Sequence, residues 1–207
     1  MPLVYQQNIN AFTKLGVWHI KEEEPFFLQR VPLQKNISHP HKRLQHLAGR
    51  ILLCELFDDF PLELIQIADT RKPFLADEAY HFSISHCGDY AAAIVSKKNR
   101  VGVYIEIPNE KILRIAYKFL GPGEQEALTG LSNDPVKFFT MAWSVKEALF
   151  KWYGDGSLDF KAHMHIDKCL VTDNEFTAFC TLSKSEPVAV KVHGLLFNGN
   201  CLTWLAT

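Results

Sequence analysis

The run from Pro135 to Tyr153 constrains the fold more than any other stretch of the chain. No Gly or Pro interrupts it before Gly154 supplies a stop, and Ala142, Ala148, Leu149 and Lys151 are good helix formers. Phe139, Ala142, Leu149 and Phe150 offer apolar contacts around such a helix. Late in the run lies Trp143-Ser-Val-Lys-Glu-Ala-Leu-Phe-Lys151, where Glu147 and Lys151 stand one turn apart on a shared face, with Trp143 one turn earlier. Spacing alone favours an exposed ion pair worth about 0.3–0.5 kcal/mol. The alternative is a carboxylate and an ammonium that hold a divalent cation beside a phosphate. Oxygen ligands suit Mg2+, and lysine is a compact phosphate partner.

The rest of the chain must decide between these. Its 207 residues make one largish domain or two small, closely packed ones. Apolar residues at 47% and charged residues at 22% are ordinary for a globular protein. A net charge of −1 argues against broad nucleic-acid binding, while leaving room for a local basic pocket. The opening MPLVYQQNINAF has no signal-peptide pattern, and no apolar run approaches the ~20 residues of a membrane span. Cys54, Cys87, Cys169, Cys180 and Cys201 are odd in number and lack a C-x-x-C, so reduced, mostly buried thiols in a cytoplasmic protein are expected rather than a disulfide framework. His39, His41 and His46 cluster, as do His163 and His165, but without the cysteine or glutamate company of zinc; the latter two alternate with Met164 and Ile166 as on a strand.

Residues 1 to 38 read as irregular strands and turns anchored by Trp18, Phe26 and Phe27. From His39 to Phe57 the spacing of Leu44, Leu47, Ala48, Ile51, Leu52 and Leu56 predicts an amphipathic helix. Lys42, Arg43 and Arg50 lie near its start and on its polar side, as solvated surface or as a cradle for an anion. Pro73 pushes Lys72 out of the α region, so Arg71 and Lys72 are expected on an extended loop, clamping a phosphate or simply solvated. Tyr80 to Ser96 reads as two strands around a Gly-Asp turn, the second (Ala91 to Val95) covered on both faces. His86, at the end of the first, is either a satisfied core histidine or a phosphate donor at the lip of a cleft. In the next strand, Val101 to Ile107, Val103 and Ile105 face one way and Tyr104 and Glu106 the other. Two short helical segments follow, Glu110 to Phe119 and Gly123 to Leu131. Beyond Gly154-Asp-Gly156 strands are expected at 162–171, 175–182, 187–197 and 201–206. The economical architecture is α+β, two halves with a cleft between them, divided near residue 108 into 1–108 and 109–207.

Four stretches, in order and with matching relative spacing, resemble the Sfp-type 4′-phosphopantetheinyl transferases. The family's G-[IV]-D-[IV]-E appears as Gly102-Val-Tyr-Ile-Glu106, and its W-[SA]-x-K-E-[AS]-x-x-K as Trp143 to Lys151. Its G-K-P-x-[LI] element is matched by Arg71-Lys-Pro-Phe-Leu75, and its F-[NS]-[IL]-S-H-[SC]-G strand end by Phe82 to Gly88. Phe119-Leu120 and Glu124 resemble the segment linking the halves. The match runs from about residue 40 to 160; the two ends add little. The resemblance implies two pseudo-symmetric α/β halves with the site between them. It implies transfer of the phosphopantetheine arm of coenzyme A to a serine of an acyl or peptidyl carrier protein in fatty-acid, polyketide or nonribosomal peptide biosynthesis, by a Mg2+-dependent, cytoplasmic monomer, with no nucleic acid or membrane as partner. Glu147 would be a metal ligand and the base for the serine, Lys151 the phosphate partner in the transition state, and Glu106 a second metal ligand. His86 would hold a phosphate of coenzyme A, Arg71 and Lys72 its adenine end, and Arg43 would add to the phosphate cradle. Exposed apolar residues of Ile112–Leu131, Phe119 among them, would face the carrier.

One position departs from the pattern. Tyr104 stands where the family has its metal-binding aspartate, and a phenol, with a pKa near ~10, is neutral at pH 7 and a poor ligand for a hard cation. Three outcomes stay open: Glu106 and Glu147 hold Mg2+ with extra water; Tyr104 donates to a phosphate in a coenzyme A binder without turnover; or the metal site is lost and the fold binds a carrier or other partner.

Overall fold

The computed structural model describes residues 2–33, 37–129 and 134–207. β1 (Leu3–Asn10) and β2 (Thr13–His19) open the chain as an antiparallel hairpin. Strands were expected there, but irregular ones; these form a regular ladder. β1 is mostly polar and exposed, so its regularity comes from the ladder to β2 rather than from any readable alternation. A short helix α1 (Glu24–Leu28) follows, its buried Phe27 packed with Trp18 and Phe26 as expected of the three aromatic anchors.

Helix α2 (Pro40–Leu56) begins on a proline, whose missing N–H would have no helical partner at that position. Leu47, Ala48, Ile51, Leu52 and Leu56 form its buried stripe. Arg50, expected on the polar side, is buried as well, with Nη1 3.2 Å from His46 Nδ1. A small hairpin, β3 (Ile65–Ile67) and β4 (Pro73–Leu75), leads to β5 (His81–Cys87) and β6 (Tyr90–Ser96). The first sheet is antiparallel, in the order β1-β2-β6-β5. β6 is covered on both faces: Ala91, Ala93 and Val95 pack with α2, while Ala92 and Ile94 pack on the opposite side.

β7 (Val101–Glu106) joins the second sheet. It pairs with β11 (Asn200–Ala206), and the antiparallel order continues through β10 (Val188–Phe197), β9 (Glu175–Leu182) and β8 (Met164–Val171). The ladder thus groups β7 with strands drawn from after residue 108. Helices α3 (Lys111–Phe119), α4 (Pro122–Thr129) and α5 (Pro135–Tyr153) come between. Gly130 and Leu131, which the sequence reading included in the second short helix, lie outside the described residues.

Alternation along the strands builds four layers: helix, sheet, sheet, helix. Leu15, Val17, Ala92 and Ile94 of the first sheet meet Val103, Ile105, Leu202 and Trp204 of the second. On the far side Met141, Ala142, Val145, Ala148 and Leu149 of α5 pack with Cys201 and Leu205. Gly102 permits this. A Cβ there would stand 2.2 Å from Ala148 O and 2.8 Å from Trp152 N, so β7 lies directly on the α5 backbone. The sheets are also joined along β5 and β7, where Val103 N and Ile105 N donate to Ser83 Oγ and Ser85 Oγ, each at 3.2 Å.

α5 closes as the sequence implies. Gly154 takes the left-handed cap at φ 78°, and its N–H donates to Phe150 O at 3.0 Å. No helix among the described residues is long and apolar enough to cross a membrane. The cysteines are free thiols, with Cys180 and Cys201 buried.

Candidate functional site

Tyr104 lies at the centre of the candidate site, on the face of β7 that meets α5. Its hydroxyl donates to Glu106 Oε2 at 3.0 Å and accepts from Trp143 Nε1 at 3.2 Å. The other Glu106 oxygen accepts from Cys87 Sγ at 2.9 Å and from Ile107 N at 3.0 Å. One helical turn beyond Glu147, Lys151 donates from Nζ to Ile84 O at 2.9 Å, and Nζ stands 5.1 Å from the Tyr104 ring centroid, within cation–π range. α5, the end of β5 and β7 therefore converge on one place. Each is positioned by the packing of Gly102 on α5 and by the serine hydroxyls that join β5 to β7.

Enclosure sets the electrostatics. Lys151 keeps some solvent contact as a residue, but its ammonium end is surrounded by protein. Burial lowers its pKa to about 8, against the opposing pull of Glu147. Burial likewise holds Glu147 above the usual carboxylate range; Lys151 counters this and the charge of Glu106 adds to it. The exposed ion pair favoured by spacing is therefore not what forms: the two groups share a partly enclosed setting and act on one another through their charges, while Lys151 spends its hydrogen bond on Ile84 O. Burial, then the charge of Glu106, pushes the Tyr104 phenol far above its ordinary value, so it stays protonated. The Cys87 thiol rises to about 11 from burial and from its bond to Glu106.

The remaining predicted residues fall into three places. Arg71 and Lys72 occupy the tip of the β3–β4 hairpin, closed by Arg71 N to Ala68 O at 2.8 Å and Ala68 N to Lys72 O at 2.9 Å. Arg71 takes a left-handed turn conformation, φ 66°, instead of the extended one expected. Lys72 Nζ lies over the C-terminus of α5, where a Cβ on Gly154 would come within 2.3 Å of it; helix carbonyls there favour a cation. Burial, then Arg100, holds Lys72 below the ordinary lysine range, with Asp155 opposing. Arg71, Lys72 and Lys151 border one cavity of about 240 Å3, together with Phe82, Ile84 and Phe150. His86 is exposed at the end of β5. Crowding by protein atoms, then Lys151, and more weakly His41 and Lys42, keeps its imidazole below the usual range. The first turns of α2 dock beside it, through Gln45 Nε2 to Gly88 O at 2.8 Å and His41 Nε2 to Asp89 Oδ1 at 2.9 Å. Arg43 stands apart from the cavity: Nη2 is 2.8 Å and Nε 3.0 Å from the Glu24 carboxylate, and Nη1 donates to Ile37 O at 3.0 Å.

Sequence reasoning missed the buried support of this site. Lys146 is fully buried, donates to Phe119 O at 2.7 Å and Phe160 O at 3.0 Å, and pairs with Glu124 Oε1 at 2.9 Å. Glu124 also accepts from Gly121 N at 2.8 Å and Ile166 N at 2.9 Å. The network fixes Phe160, which stacks on Trp143 at 5.4 Å. The signals were there: Lys146 fills the K of the W-[SA]-x-K-E pattern and Glu124 belongs to the linking segment, but nothing local shows that the two meet. Phe119, expected among exposed carrier contacts, is instead buried, edge-on to Trp143 at 5.0 Å; Leu113 and Tyr117 are the exposed apolar residues of α3.

A divalent cation fits these donors poorly. Among the described residues no three His, Cys, Asp or Glu side chains gather as a metal would require. Of the two facing acids, Glu106 already accepts at both oxygens, one from a protonated phenol. A hard cation needs free anionic oxygens.

Comparison with known proteins adds an independent line. Residues 100–203, half of the chain, match the model of the 4′-phosphopantetheinyl transferase superfamily. A Synechocystis sp. protein that carries the name 4′-phosphopantetheinyl transferase provisionally is 32% identical over 117 residues, 53% of this chain and 48% of that one. Enterobactin synthase component D of Salmonella typhi is 31% identical over 117 residues, 55% of this chain and 49% of that one. The 4′-phosphopantetheinyl transferase AcpT of Escherichia coli O157:H7 is 28% identical over 159 residues, 72% of this chain and 80% of that one. The chain spans about half the length of the first two.

Proposed function

The chain belongs to the 4′-phosphopantetheinyl transferase superfamily, and from that premise we propose that it transfers the phosphopantetheine arm of coenzyme A to a serine of an acyl or peptidyl carrier protein. The observation that carries the proposal is the placing of Glu147 and Lys151 one turn apart on α5 in a partly enclosed setting against β7, with Lys151 tied to Ile84 of β5. A carboxylate whose proton affinity is raised by burial is suited to take the serine proton, and an enclosed ammonium to hold phosphate charge as it develops. The serine Oγ attacks the phosphorus that bears pantetheine, its proton passes to Glu147, and the phosphoanhydride bond to adenosine 3′,5′-bisphosphate breaks. Lys151 neutralises the diphosphate. Arg71 and Lys72, across the cavity, take the adenine end, and His86 with the neighbouring Lys42 takes a phosphate. Arg43 joins them only by releasing Glu24.

In this reading the molecule is two pseudo-symmetric α/β halves, 1–108 and 109–207, with the site in the cleft between them. One long helix on each sheet supports it, and β7 crosses to pair with β11. The protein acts as a cytoplasmic monomer; free thiols suit a reducing compartment. The carrier docks on the exposed Leu113 and Tyr117 of α3. The family's Mg2+ finds a poor donor set at Glu106 and Glu147.

A second reading, a transferase-like protein that binds coenzyme A or a carrier without turnover, is favoured by the bonds that occupy both oxygens of Glu106. Intact-protein mass spectrometry of an apo carrier protein incubated with coenzyme A separates the two. Transfer predicts the added phosphopantetheine mass, lost at least about a hundredfold in rate in Glu147→Ala. No added mass on several carriers, with coenzyme A still bound, selects the second reading.

A further inference from the structure

Both oxygens of Glu106 are engaged. It accepts three hydrogen bonds, from Tyr104 OH to Oε2 at 3.0 Å, from Cys87 Sγ to Oε1 at 2.9 Å and from Ile107 N to Oε1 at 3.0 Å, and Tyr104 OH in turn accepts from Trp143 Nε1 at 3.2 Å. A cation bound at Glu106 would have to compete with these donors and accept a neutral phenol as neighbour. Oxygen-seeking divalent ions gain little from such an exchange. The chain also joins three elements: Cys87 ends β5, Tyr104 and Glu106 lie on β7, and Trp143 lies on α5. The carboxylate is therefore a clasp that holds the site together. Beside it, the Tyr104 ring supports the Lys151 ammonium at 5.1 Å, and Lys151 also borders the cavity with Arg71 and Lys72. Positive charge is supplied to the cavity by side chains.

We propose that this site binds the diphosphate of coenzyme A without a divalent cation, Tyr104 holding Glu106 as a closed structural clasp while Lys151 supplies the counter-charge. Tyr104 is a positioning residue in this scheme. The inference rests on the coenzyme A reading above and goes beyond it by naming how the ligand's charge is met.

Calorimetric titration of coenzyme A in EDTA and in millimolar Mg2+ tests it, with Mn2+ paramagnetic resonance as a direct readout of bound metal. The natural protein should bind coenzyme A equally in both buffers and retain no Mn2+. Tyr104→Asp should capture Mn2+ and make coenzyme A affinity depend on Mg2+ by about tenfold or more. Tyr104→Phe keeps the ring under Lys151 but removes the donor; it should bind coenzyme A more weakly and still gain nothing from Mg2+. Circular dichroism confirms that the variants fold, and the natural protein decides the matter by itself. Affinity that rises about tenfold with Mg2+, or a bound Mn2+ in the natural protein, overturns the metal-free site and leaves the coenzyme A reading standing. Absence of coenzyme A binding in both buffers overturns that reading, and the clasp's proposed purpose with it.

Discussion

Burial acts in opposite directions on the charges of Glu147 and Lys151, and each direction has a pH at which it can be read. The free Lys151 ammonium loses its proton near pH 8. An anion bound beside it favours the charged form, so its pKa is higher in the complex than in the free protein. Coenzyme A affinity should therefore be level below about pH 8 and fall above it, by at most about tenfold per pH unit for this one proton. Calorimetry across that range checks this; an affinity indifferent to pH would remove Lys151 from the phosphate site. Glu147 carries the opposite sign. Its pKa is raised, so turnover should decline as pH drops through a value above the ordinary carboxylate range, because a protonated carboxyl cannot accept the serine proton. Both residues were legible in the sequence as a pair one turn apart. Their enclosure was not, because it depends on Tyr104 and Ile84 from other strands.

At the scale of elements, helices α2 and α5 were readable because their apolar spacing and end signals agree, from Pro40 at one start to Gly154 at the other's stop. β1 was not, because a polar strand on one edge of a sheet shows little periodicity. The contact between α5 and β7 hangs on Gly102. Gly102→Ala places a methyl 2.2 Å from the Ala148 carbonyl, which no rotamer change can relieve because both partners are backbone. Urea denaturation should show a loss of at least about 1–3 kcal/mol, the usual cost of forcing atoms into a packed interior. Coenzyme A binding should weaken in the same variant, since Tyr104 and Glu106 ride on the displaced strand. Unchanged stability would mean that β7 is not seated on α5.

Across the whole molecule, the two sheets are joined by an apolar layer and by two hydroxyls. Ser83 and Ser85 alternate with Phe82 and Ile84 along β5; in the fold they accept the β7 N–H groups of Val103 and Ile105, which among the described residues no strand pairs on that side. Ser83→Ala and Ser85→Ala should each cost about 1–3 kcal/mol, the penalty of a buried donor left without a partner. Faster hydrogen exchange at the Val103 and Ile105 amides should accompany it, and unchanged exchange would assign the join to the apolar layer alone. By itself, the sequence determined the helices, most strands, the one-turn spacing of Glu147 and Lys151 and the presence of Tyr104 in place of an acid. Those depend on local periodicity and on residue identity. Only the tertiary structure decided that Glu106 is occupied, that Arg43 is bound to Glu24, that Lys146 is a buried support, and that Phe119 belongs to the core. Each of these is a partnership between segments distant in the chain, and no local pattern specifies which distant group a side chain will meet.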